Sequence, residues 1–234
     1  MFRKIIIHFI LLSLGLFSVV THATQEEHLQ RVYAISEYTI KMQTLDEHNP
    51  QKITQKLAEL MVGNRHDPIV IRRFTDPIPV EGIANYLRKS NLQGLSLVEA
   101  KQMKPVIEEE IQQISSMFRS CKIDSNIQKT PTHYFVDIIC RVPKLNINEK
   151  NIFQQQVQQM QEQPANLQKI HYLNAKQKIF AKSEYQDFKS TLWIQIEEKG
   201  ILRAVIENED YFPNAVINQR DQALGLGLGE STSN

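Results

Sequence analysis

The sequence predicts an exported α+β protein, with N-terminal helices packed on a C-terminal antiparallel sheet of about four strands and one interrupting helix. Three observations carry this. An apolar leader opens the chain, helix-spaced apolar positions dominate residues 24–120, and alternating apolar positions dominate residues 121–218.

The leader comes first. Arg3 and Lys4 precede an apolar run from Ile5 to Val20, and Thr21-His22-Ala23 supplies small residues at −3 and −1 of a cut. This is the layout of a secretory signal peptide cleaved after Ala23. The run is shorter than the roughly 20 apolar residues of a spanning helix. Residues 1–23 are therefore expected to be removed, leaving no stable membrane insertion. Without Arg3 and Lys4, 25 Lys+Arg face 26 Asp+Glu over 211 residues, a net charge of −1 where the whole chain has +1. A near-neutral chain gives no electrostatic reason to expect nucleic acid. The expected location is the periplasm or the extracellular space.

Leu29, Val32, Tyr33, Ile35 and Tyr38 suggest a helix over about 25–45, with a strand at 38–42 as the alternative. Asn49-Pro50 opens a second helix, because Asn caps free N–H groups and Pro lacks one. Ile53, Leu57, Leu60 and Met61 form its apolar face, and Gly63 is its stop. Residues 69–74 read as a short strand or an extended linker between Asp67-Pro68 and Asp76-Pro77. A short helix follows over 79–90. Ser96 and Glu99 form a capping box opening another, and Pro105 inside it predicts a kink or restart. Ile107, Ile111, Ile114 and Phe118 then make the strongest helical stripe in the chain, ending near Arg119.

Cys121 and Cys140 lie in strand-like segments, 117–125 and 133–142, joined by a turn-rich stretch. Pairing the cysteines sets Ile123 opposite Ile138, Ser125 opposite Val136 and Ile127 opposite Tyr134, which aligns mostly apolar partners. An oxidising compartment favours the disulfide. Residues 149–163 hold seven Gln, interrupted at helical spacing by Phe153, Val157 and Met160, and read as a helix with a Gln-rich solvated face. Residues 176–188 read as a strand. Leu192 to Glu207 reads as a hairpin turning at Glu197–Gly200, with Glu197 opposite Ile201, Ile196 opposite Leu202, Gln195 opposite Arg203, Ile194 opposite Ala204, Trp193 opposite Val205 and Leu192 opposite Ile206. Residues 219–234, with Gly225 to Gly229, read as a flexible tail. Helices on one face of a curved sheet, as in cystatin-like or nuclear-transport-factor-like folds, would satisfy the pattern as architecture. No family motif accompanies that likeness.

Motifs for chemistry are absent. There is no Gly-rich phosphate loop, nucleotide fingerprint, Gly-x-Ser-x-Gly elbow or His-Glu-x-x-His site. Nothing points to a cofactor or metal, and no catalytic residue stands out. His133 and Asp137 share a strand face but lie about 13 Å apart, too far for a dyad. Arg65, His66, Arg72 and Arg73 surround an apolar segment and form the candidate contact for an anion or partner. Glu108, Glu109 and Glu110 read as a solvated helix face. The expected function is a non-catalytic binding or accessory protein of the bacterial envelope. It would act on an unknown protein or a small apolar ligand, through the helix–sheet cleft or a sheet edge. An inhibitor or immunity-type protein and a hydrolase with a motif-free active site, using His133 or His171, are the alternatives.

Overall fold

A computed structural model describes residues 26–44, 50–63, 69, 71–72, 82–206 and 208–224. The leader, Arg65, His66, Arg73 and residues 225–234 lie outside these. The class is α+β, as the patterning predicts. Helix α1 spans 26–43, so the helix prevails over a strand at 38–42. Then follow α2 (Pro50–Val62), α3 (Gly82–Leu92), α4 (Leu97–Arg119), β1 (Lys122–Lys129) and β2 (His133–Lys144). After them come α5 (Ile147–Met160), α6 (Ala165–Phe180), β3 (Glu184–Ile196), β4 (Leu202–Val205) and α7 (Asn214–Gln222). The sheet is antiparallel in the order β1-β2-β3-β4.

Local chemistry sets most element ends. Ser96 accepts from the Glu99 N–H while the Glu99 carboxylate accepts from the Ser96 N–H, the expected capping box. Asn146 and Glu149 repeat the device at α5. Gly63 ends α2 at φ 72°, where a side chain would be strained. The Arg31 guanidinium sits against it and donates to the Leu60 and Met61 carbonyls, satisfying acceptors that α2 leaves open at its C-terminus. Pro105 starts no new helix: α4 runs through it without a break.

Alternation puts Tyr134, Val136, Ile138, Cys140 and Val142 of β2, and Leu192 and Ile194 of β3, on one face, all fully buried. Val32 and Ile35 of α1, Leu57 and Met61 of α2, Met117 and Phe118 of α4, and Phe212 and Val216 pack against them. These side chains form one continuous apolar cluster between the helices and the sheet. A second apolar cluster joins α3, α4 and α6, and a third joins α5, α6 and Leu224.

Several expectations are corrected. Residues 69, 71 and 72 are helical, not strand. Residues 117–119 still belong to α4, and β1 starts at Lys122. Residues 176–180 finish α6, and the strand begins only at Glu184. Two helices, α5 and α6, interrupt the sheet where one was expected. Leu167, Ile170 and Leu173 of α6 serve the second cluster, while Ala175, Ile179 and Phe180 serve the third. Apolar residues thus surround the helix and show no single stripe. Residues 219–224 are part of the fold rather than tail, with Arg220 and Leu224 buried.

Cys121 and Cys140 are bonded to each other. Ile123 pairs with Ile138 as expected, but an irregularity between Ile123 and Ile127 then puts Ile127 opposite Val136, not Tyr134. The expected pairing of Ser125 with Val136 is lost with it. The slip is by two residues, so the faces are preserved. The β3–β4 register agrees with the expectation at the four pairs from Trp193–Val205 to Ile196–Leu202, and Gly200 takes φ 75°.

The acidic run also departs from a uniform solvated face. Glu108 accepts two hydrogen bonds from Arg88, at 2.6 and 2.7 Å, which hold its carboxyl below the usual range. Glu109 is exposed. Glu110 Oε1 accepts from Lys176 at 3.1 Å and Arg220 at 2.8 Å, and Asp221 lies 3.0 Å from both cations. Burial, with the Asp221 and Glu110 charges, pushes the pKa of the neighbouring Tyr172 up to about 12. This network ties α4, α6 and α7 together.

Candidate functional site

The other face of the sheet carries the odd-numbered residues of β2 and β3. The register sets Phe135 beside Trp193 and Trp193 beside Val205, with His133, Gln195 and Arg203 in the next row. Ring centroids lie 6.5 Å apart for Phe135 and Trp193, planes inclined at 24°, and 4.8 Å for His133 and Trp193. Tyr211 adds a fourth ring, 5.4 Å from Trp193.

Tyr211 is placed by the segment after β4. The Phe212 N–H donates to the Thr191 carbonyl at 2.9 Å, which pins the segment to β3. The Phe212 ring is buried edge-on against Phe118 on the core side. The Asn214 side chain donates to the Ile206 and Asn208 carbonyls and holds the approach. Consecutive residues therefore point to opposite sides, Phe212 inward and Tyr211 onto the outer face. His133, Phe135, Trp193 and Tyr211 are all half-buried and together form an aromatic ledge on that face.

A polar band borders the ledge. The Asp137 carboxylate accepts from Asn126 at 2.8 Å and Thr191 at 3.2 Å, and pairs with Lys189 at 2.7 Å. Burial pushes this carboxyl up, but the hydrogen bonds from Lys189, Asn126 and Thr191 outweigh it and leave it below its usual value. The same contact with Asp137 raises Lys189. A carboxylate with three donors is a clamp across three strands, not a proton acceptor waiting for substrate. The His133 Nδ1 lies 2.7 Å from the Thr132 hydroxyl, and Asp137 is not its partner.

Of the expected contact residues, Arg72 is described, exposed and helical. Arg65, His66 and Arg73 lie outside the described residues. No group of three or more His, Cys, Asp or Glu among the described residues could hold a metal ion. No described helix is long and apolar enough to cross a membrane. The β1 edge carries Lys122, Asp124, Lys129 and the register irregularity, which are devices that discourage strand addition.

Sequence reasoning misses Tyr211 and the joining of Phe135 to Trp193. The hairpin register does mark Trp193 as lying on the non-core face. The position of β3 opposite β2 is needed to gather the rings. Comparisons with protein-family models, with characterised proteins and with solved structures find no match for this chain.

Proposed function

We propose that this is an exported, non-catalytic binding or accessory protein of the bacterial envelope, and that it engages a protein partner through the aromatic ledge. The leader sequence motivates export. The observation that carries the binding reading is the ledge itself: four half-buried rings on the sheet face opposite the core. Trp and Tyr dominate the energetics of protein interfaces because they bury large area with few rotatable bonds. Gln195 and Arg203 supply a polar margin of the kind that surrounds such anchors.

A photo-crosslinking residue placed at Phe135, in the producing cell, tests the reading. The expected result is one discrete envelope adduct, lost in the Trp193→Ala variant while its melting transition persists. Truncation of a central aromatic anchor typically costs about 2 kcal/mol or more of binding, roughly thirtyfold in affinity. Adducts unchanged by Trp193→Ala, or turnover of an ester, peptide or glycan abolished by a single point mutation, would overturn it.

A further inference from the structure

The Gln-rich segment has a counterpart that its helical period alone does not reveal. Helices α5 and α6 pack against each other through Phe153 and Tyr172, and a groove of about 440 Å³ opens between them. Gln156, Gln159 and Gln163 line one wall, and Asn174 and Lys178 the other. Met160 and Ala175 form an apolar floor, and the small side chain of Ala175 leaves it open. His171 also lines the groove, and no carboxylate does so among the described residues.

Each chemical feature narrows the occupant. Four carboxamides each offer two donors and an acceptor, a set that matches neighbouring hydroxyl groups. The Gln156 and Gln163 Oε1 atoms are buried and meet no donor among the described residues. A buried acceptor without a partner is costly, and rotation of either carboxamide toward the groove would let a ligand O–H donor satisfy it. The floor suits a C–H face. Lys178 supplies a positive charge with no acid lining the groove to neutralise it, so a ligand carboxylate is favoured there.

We propose that this groove binds an acidic sugar, a hydroxyl-rich ligand carrying a carboxylate. Polyol hydroxyls engage the carboxamides, the carboxylate faces Lys178, and the ring C–H face rests on Met160 and Ala175. The site is separate from the aromatic ledge, so this proposal and the protein-partner reading fail or succeed independently.

The test uses the purified protein in solution, titrated with digalacturonate and, in parallel, with uncharged cellobiose, followed by ¹H–¹⁵N spectra. The expected result is movement of Gln and Asn side-chain amide signals with digalacturonate, with the Gln156, Gln159, Gln163 and Asn174 signals assigned by substitution. Cellobiose should bind several-fold more weakly. Lys178→Glu, at an exposed position, should weaken digalacturonate by about fivefold, the upper range for an exposed charge contact. Ala175→Leu should block both sugars by filling the floor; Gln159→Leu provides a second block at an exposed position if that variant does not fold. No amide movement with either sugar, or binding left unchanged by Lys178→Glu and Gln159→Leu, would overturn the proposal. Equal affinity for cellobiose would overturn the acidic component.

Discussion

Three consecutive glutamates in α4 provide a graded test of the tertiary structure. Replacing Glu110 with Gln removes the anion between Lys176 and Arg220, whose side chains are only 6% and 4% exposed. Asp221 remains, but its side chain is 35% exposed and serves both cations less fully. Breaking a buried ion pair by removing one partner costs about 3–5 kcal/mol, because the remaining charge stays desolvated. With a urea slope of about 2 kcal/mol/M, a loss of about 3 kcal/mol lowers the unfolding midpoint by about 1.5 M. Glu108→Gln breaks the paired hydrogen bonds to Arg88, but at a partly exposed site, and should cost at most about 1 kcal/mol. Glu109→Gln should stay within about 0.5 kcal/mol of the parent. Urea unfolding of the three variants, monitored by circular dichroism, reads the order directly. Equal effects at the three positions, or less than about 0.5 kcal/mol at Glu110, would refute the assignment of Glu110 to a buried network.

Three further outcomes are expected. Replacing Cys121 and Cys140 together by Ser should lower stability by about 3 kcal/mol in the chain-entropy model, seen as a lower melting temperature that no longer responds to reductant. Asp137 has a folded-state pKa below its unfolded value, so its contribution is present above the unfolded pKa and lost as pH falls through the folded one. Urea midpoints measured from pH 6 to pH 2 should therefore fall less steeply in Asp137→Asn than in the parent below the ordinary aspartate range; parallel profiles would contradict the clamp. Gly63→Ala should destabilise by about 1 kcal/mol or more, because it forces a side chain into a left-handed position. Its Cβ would also lie 2.8 Å from the Arg31 guanidinium carbon, and an unchanged melting temperature would count against this close approach.

Legibility in the sequence follows the range of the interaction. The β3–β4 register is readable from Trp193 to Val205 because one short turn joins the strands and alternation admits a single pairing with all apolar partners inside. The Ser96–Glu99 capping box spans one helical turn and is equally readable. The β1–β2 pairing is readable at Ile123 and lost at Ile127. There Asn126 reaches Asp137, which Lys189 of a distant segment also holds, and the strand slips by two. Helix α6 is hidden because it packs on two clusters, so its apolar residues follow no single face.

The sequence alone determines the α+β order, the capping and turn positions, and the pairing of Cys121 with Cys140. Each depends on neighbours in the chain or on the only two cysteines it contains. Tertiary structure decides which of three adjacent glutamates is buried among cations. It also decides that Phe135, Trp193 and Tyr211 share one ledge, and that the glutamines of α5 meet Asn174 and Lys178 across a groove. The physical reason is common to all three: a side chain's chemistry depends on what desolvates and faces it, and those neighbours come from segments distant in the chain.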